Sequence, residues 1–260
     1  MKPPKLFLSE VRVDFHTARK LGLKDAYRWH QQLSEDCFHA SLEARKALPE
    51  AQQERVFLWR VDRIEHGFRA WVLSPAEPVI PPWGHWRPPK PVGFKFEEGR
   101  QFVFSLRANP TRKDTPRDAD GRRSVQGKRR AITRVEDEKL PDGQIRSGLR
   151  SWISRQGDKN GFAIMQSADN PQSLSITKEP HDRLTIPEVR PPGGGPTAAK
   201  ISNPNPQVAI HSVLFEGVLT VARPDDFARA FAYGIGSAKS LGFGLLVLLP
   251  FHPSQTQNQG

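Results

Sequence analysis

The chain has 260 residues, with 39 lysines and arginines against 28 aspartates and glutamates. A formal net charge of +11 points to a polyanionic partner, nucleic acid or an acidic membrane surface. Its single cysteine, Cys37, excludes a disulfide framework and a cysteine-rich zinc site, and its longest apolar run, near residues 241–251, is well short of the ~20 residues of a membrane span.

Residues 1–14 lack the apolar core of a signal peptide, so the expectation is a soluble, cytoplasmic protein with no membrane partner. Residues 6–14 alternate apolar and polar and read as a strand. Residues 26–38 read as a helix with Asp25 as N-cap. Trp29, Leu33 and Cys37 fall four apart and share a core-facing stripe. Tyr27 and His30, three apart, are neighbours on an adjoining face. Spacing alone fits an aromatic and a histidine at the edge of a core as well as a site. Residues 56–62 and 68–73 read as paired strands around a turn at His66 and Gly67. Seven prolines between residues 74 and 91 remove amide donors, which predicts a loop or linker. Trp83 and Trp86 within it suit packing more than base stacking.

Residues 94–96 and 102–109 return to strand grammar on either side of a turn at Glu98 and Gly99. The domain boundary is placed here: an N-terminal domain over 1–92, a C-terminal domain over 93–253, and a flexible tail over 254–260. Residues 107–134 are the most basic stretch. Arg107, Arg112, Lys113, Arg122, Arg123, Lys128, Arg129 and Arg130 sit there among Gly and Pro with few apolar residues. A solvated loop is one reading; an arm ordered by phosphates is the favoured one. Residues 141–155 read as an amphipathic helix with Ile145, Leu149, Trp152 and Ile153 inside. Residues 162–165 read as a short strand, and 174–207 as an irregular insertion carrying Lys178 and Arg183. A strand over 209–222, a helix over 224–232 and a strand over 245–249 complete the chain. The second half is thus a βαββαβ ferredoxin-like unit. The first half has the same order without an evident second helix. The fold class is α+β, two tandem ferredoxin-like (RRM-like) domains.

Between the last helix and the last strand, Gly234, Gly236, Gly242 and Gly244 flank a single lysine, Lys239. Glycines free backbone N–H groups for close approach, and with a lysine they suit an anion. A tight turn and a bulged strand start is the plain alternative. A dinucleotide fingerprint is excluded, because here the helix precedes the glycines, and no Walker pattern occurs.

Three segments together resemble one family: Phe104-Ser-Leu-Arg-Ala-Asn-Pro-Thr-Arg112, Leu214-Phe-Glu-Gly-Val-Leu-Thr-Val221 and Gly234-Ile-Gly-Ser-Ala-Lys-Ser-Leu-Gly-Phe-Gly-Leu-Leu246. With Tyr27-x-x-His30, the pattern is similar to the CasE family, the CRISPR RNA endoribonucleases of type I-E systems. The resemblance runs over nearly the whole chain. It implies two ferredoxin-like domains and a CRISPR repeat hairpin as substrate. It also implies one cut at the 3′ base of the hairpin, a retained product, and partner subunits in the type I-E surveillance complex.

RNA carries its own nucleophile, the 2′-OH beside the scissile phosphate. His30 is the expected acid/base group, since imidazole titrates near ~6.5. Tyr27 holds phosphate or ribose, a role the family pattern supports. Arg107, Arg112, Lys113, Arg122, Arg123, Lys128, Arg129, Arg130, Lys178, Arg183 and Lys239 form the expected RNA-binding set. The eight histidines are scattered, so metal-independent cleavage with no cofactor is expected. A non-catalytic RNA-binding subunit fits the same charge and glycines.

Overall fold

The computed structural model describes residues 5–46, 55–114, 128–141, 143, 145–165, 174–179, 182–185 and 207–251. The alternating N-terminal stretch is strand β1, Phe7–Asp14. Helix α1, Phe15–Lys20, follows at once, its first turn closed by Asp14 accepting from Thr17 N at 2.8 Å. Helix α2 is Ala26–Cys37, and Asp25 caps it as expected, accepting from Arg28 N at 2.9 Å. Helix α3 is His39–Lys46. Neither α1 nor α3 belongs to the sequence expectation, because each is too short to show a full apolar period.

Strands β2 (Leu58–Ile64), β3 (Gly67–Ser74) and β4 (His85–Pro91) complete the first sheet, in the order β2-β3-β1-β4. β4 corrects the loop expected over 74–91. Proline is tolerated here because β4 is an edge strand, where a missing amide breaks no inner ladder. The ladder with β1 shifts register between Leu8, opposite Lys90, and Glu10, opposite Arg87, so the bulge falls at Pro88 and Pro89. Trp83 and Trp86 pack in protein: Trp83 Nε1 donates to Asp36 at 2.5 Å and Trp86 Nε1 to Trp83 O at 3.0 Å.

Residues 92–100 form no strand, contrary to expectation for 94–96. Their phenylalanines fill the second core instead, Phe94 lying 5.6 Å from Phe102 and Phe96 4.9 Å from Phe227, ring to ring. Strand β5 is Gln101–Ala108. The described part of the basic stretch holds an antiparallel pair, β6 (Thr111–Asp114) with β7 (Lys128–Ala131), called the β6–β7 hairpin below. The pair β8 (Glu138–Lys139) and β9 (Ile145–Arg146) follows.

Helix α4 is Leu149–Asn160, later than the expected 141–155. Asp137 sets its start, accepting from Gly148 N at 2.7 Å and from Ser151 Oγ at 2.8 Å. Ile145, expected on the core stripe, is 69% exposed on β9. The chain continues through β10 (Phe162–Ile164), β11 (Leu174–Lys178), β12 (Asp182–Thr185), β13 (Gln207–Ile210) and β14 (Val213–Val221). Helix α5 (Pro224–Tyr233), a 3₁₀ turn (Lys239–Leu241) and β15 (Leu246–Pro250) end it. The expected insertion therefore holds two strands. β11 adds to β14 and β12 pairs with β13. The single strand expected over 209–222 breaks between Ile210 and Val213. The expected tail over 254–260 lies outside the described residues.

The second sheet runs β10-β14-β5-β15. Its order, second-third-first-fourth, is that of the first sheet. Both units are ferredoxin-like, and the first carries no helix between β3 and β4. Leu6, Leu58 and Leu73 of the first unit pack into the core of the second. Among the described residues no helix is long and apolar enough to cross a membrane.

A buried polar joint also ties the sheets. Asp62 on β2 accepts from Arg60 Nε at 2.8 Å and lies 3.1 Å from Arg107 Nη1. Arg107 grips Glu179 through Nε and Nη2, both at 2.7 Å, and donates to Val61 O at 2.6 Å. Arg60 Nη1 reaches Ser105 Oγ at 2.8 Å on β5. Arg107 is thus a strut between sheets, a correction to its expected phosphate role. Burial would raise the Glu179 pKa, but hydrogen bonds from Arg107 and Ser212 outweigh it and hold the carboxyl below its usual range. A depressed carboxylate stabilises the fold above its unfolded pKa of ~4.3 and loses that contribution as pH falls through the folded value. Glu179→Gln should lower the urea-unfolding free energy by roughly 1.5–3 kcal/mol at pH 7. The gap to wild type should narrow below pH ~4, where Glu179 takes up a proton.

Candidate active site

α2 directs Trp29, Leu33 and Cys37 into the first core. Burial, and then Asp36, push the Cys37 thiol up to about 12, so it is no nucleophile. One residue past Trp29, the helix turns His30 about 100° away from that stripe. The His30 ring is half-buried. It lies 5.4 Å from the ring of Phe57 and stacks on Trp59 at 6.3 Å and 18°. Its Nδ1 is sealed without a partner among the described residues. Burial, and then the charge of Arg55, hold the imidazole below the ordinary histidine value. His30 is therefore neutral at pH 7 and able to accept a proton. Tyr27, one turn earlier, is half-buried on the same helix.

The glycine loop docks against this helix. A Cβ on Gly242 would stand 3.1–3.3 Å from the Trp59 ring, and one on Gly244 only 2.6 Å from Ile235 O. Both residues have positive φ, 82° and 86°, so only glycine serves there. The loop closes on itself through Ile235 N to Gly244 O at 2.9 Å, and on β5 through Gly244 N to Arg107 O at 2.8 Å. Ser237 Oγ donates to Asn109 O at 3.0 Å. Gly234 and Gly236 lie at its opening, just after α5. Ala238, Leu241 and Phe243 pack with Ala26 of α2 and Ile210. Lys239 is pinned by its Nζ donating to Tyr233 O at 2.8 Å. Burial lowers its pKa first, then Arg55 and Lys159. A cleft of about 280 Å³ borders this contact, lined by Asp25, Trp29, Trp59, Arg107, Glu179 and Phe243.

The remaining expected RNA ligands gather elsewhere, on the β6–β7 hairpin. Arg112 faces Arg130 and Lys113 faces Arg129 across the ladder, with Lys128 opposite Asp114. Like charges opposite each other in register are unfavourable in the free chain. Arg129 and Arg130 are exposed and Arg112 is half-buried. Lys178 on β11 is exposed and donates to Thr133 O at 3.3 Å. Arg183 lies on β12 opposite Ala209. Arg122 and Arg123 lie outside the described residues. Sequence reasoning missed Arg55, Phe57 and Trp59 as parts of the His30 site. The one available signal was a cation two residues ahead of an apolar strand start. Among the described residues no three His, Cys, Asp or Glu side chains gather to hold a metal.

Gly244→Ala should cost about 2 kcal/mol in urea unfolding, from the forced φ and the Ile235 contact together. Gly99→Ala, also at positive φ but with open space around it, should cost about 1 kcal/mol.

A family model for CRISPR-associated proteins matches residues 6–250. The chain is 28% identical over 240 residues to the CRISPR-associated endoribonuclease Cse3 of Thermus thermophilus, covering 90% of this chain and 94% of that protein. A CRISPR endoribonuclease Cse3 solved with a 19-nucleotide RNA shares the fold at TM-score 0.67, with 24% identity over 95% of this chain and 100% of that one. A chain of a CRISPR RNA-guided surveillance complex in a pre-nicking state does so at TM-score 0.55, with 18% identity over 94% of this chain and 100% of that one.

Proposed function

Because the chain belongs to the CRISPR-associated protein family, we propose that it is a metal-independent endoribonuclease. It cuts CRISPR repeat hairpins in precursor RNA by 2′-OH attack and keeps the product as a subunit of the type I-E surveillance complex. One observation carries the reading: a half-buried His30, its pKa held down by burial and Arg55, beside a docked glycine loop that carries Lys239.

The chemistry follows from that arrangement. Nδ1 is sealed, so proton transfer runs through Nε2. His30 removes the 2′-OH proton, the 2′-oxygen attacks phosphorus, and the P–O5′ bond breaks. O5′ takes up a proton from water and leaves as a hydroxyl, while the other fragment ends in a 2′,3′-cyclic phosphate. Tyr27 holds the ribose or phosphate in line for attack. The stem lies on the basic hairpin, whose residues meet backbone phosphates rather than base edges. Arg112, Lys113, Lys128, Arg129 and Arg130 form this set. Arg122, Arg123, Lys178 and Arg183 extend it. Lys239, on the loop shaped by Gly234, Gly236, Gly242 and Gly244, meets phosphate near the cut.

The test uses a synthetic hairpin RNA of the host's CRISPR repeat. His30→Ala should bind it within a few-fold of wild type and cut at least ~100-fold more slowly. A hairpin with a 2′-deoxy scissile nucleotide should stay whole. Wild-type cutting rates in His30→Ala would leave a subunit that only binds RNA, or a nuclease with another centre. A triple Ala variant at Lys128, Arg129 and Arg130 should flatten the slope of log affinity against log salt by roughly 2. An unchanged slope removes the hairpin from the interface.

A further inference from the structure

The basic residues of this protein fall into two kinds. Arg60 is buried and Arg107 half-buried, and both are met by carboxylates. Around His30 the cations have no such partner among the described residues. Arg55 stands two residues ahead of Phe57, whose ring His30 touches. That places its Cα within ~7 Å of the Phe57 Cα. Val56 and Phe57 are buried while Arg55 is exposed. Arg45, in the last turn of α3, has a buried Nε with no partner among the described residues. The turn that carries Lys239 packs on both α2 and β2. Among the described residues neither Arg45 nor Arg55 makes an ion pair.

These charges oppose one another. Arg55 pushes down the pKa of both His30 and Lys239, and Arg45 that of Arg55, in each case alongside burial. Tyr27 lies one turn from the imidazole on its own helix and Arg55 acts on it from ahead of β2, while Arg45 on α3 and Lys239 on the loop act on Arg55 or are acted on by it. Among the described residues none of these groups is a carboxylate. Within those residues this set has no anion of its own, whereas Arg60 and Arg107 are paired, an arrangement suited to an anion from outside.

We propose that Arg55 is a catalytic residue that grips the non-bridging oxygens of the scissile phosphate, with Lys239 as the second cation. This rests on the reading of His30 as the proton-transfer group. A guanidinium fork fits two phosphate oxygens at once. Negative charge builds on those oxygens as the 2′-oxygen attacks, and a preorganised cation there is worth far more than in water. The same charge has a second effect. In the free protein it keeps His30 neutral and ready to accept a proton. Once phosphate neutralises Arg55, the imidazolium formed by taking the 2′-OH proton no longer faces a bare cation.

Arg55→Ala and Arg55→Lys are compared with wild type and His30→Ala on the repeat hairpin. Single-turnover cleavage at saturating protein, dissociation constants, and NMR titration of His30 in RNA-free protein are the readouts. Arg55→Ala should cut ~100-fold more slowly with affinity changed less than ~5-fold, about one phosphate contact. Its His30 should titrate at higher pH than in wild type, and Arg55→Lys should recover part of the rate. Arg55→Ala cutting at the wild-type rate while His30→Ala does not cut would overturn the proposal alone. So would a rate loss fully explained by affinity with an unmoved His30 titration. Cutting by His30→Ala at the wild-type rate would bring down the underlying reading as well.

Discussion

The site depends on one close approach, the glycine loop laid against the face of Trp59. Gly242 is there because a Cβ would press within 3.1–3.3 Å of the indole. Trp59 comes from the first sheet and the loop from the second, so this contact fixes one unit against the other. His30 stacks on the same indole. A single aromatic ring thus sets the spacing between an imidazole and a lysine from opposite halves of the chain. The Arg60–Asp62–Arg107–Glu179 joint holds the same two sheets a short distance away. Apolar burial supplies most of the cohesion, and the polar joint sets which residues of β2 and β5 face each other.

Charge is sorted in a way that composition alone does not reveal. The net excess of +11 is not spread evenly. Some arginines are structural and paired. Others are placed like against like, on the β6–β7 hairpin and around His30. Like-charge placement costs stability in the free protein. Under the proposed function a polyanion completes the arrangement, the hairpin meeting the duplex backbone and the His30 cluster one particular phosphodiester.

Much of this was legible in the sequence, and the failures have physical causes. α2 was readable because four-residue spacing and an Asp cap agree. Both ferredoxin-like units were readable from element order. β4 was not, since proline signals forbid strands in general but not edges. Phe94 and Phe96 alternate like a strand yet pack as loop side chains against α5. Arg107 looked like its basic neighbours in the chain, and only the fold brings Glu179, seventy-two residues away, into its grasp. Arg55 was invisible for the opposite reason. It stands alone in sequence, and its company comes from α3 and the distant glycine loop. Tyr27 and His30 lie on one helix as their spacing requires. What surrounds the ring is tertiary and has no local signature.

The central claim is that the RNA supplies the nucleophile and His30 moves the proton. The most direct measurement is mass spectrometry of the fragments produced from the repeat hairpin in excess EDTA. The account predicts a 2′,3′-cyclic phosphate, or its opened form, on one fragment and a 5′-hydroxyl on the other. A 3′-hydroxyl paired with a 5′-phosphate, or no cutting until a divalent metal is restored, would contradict it.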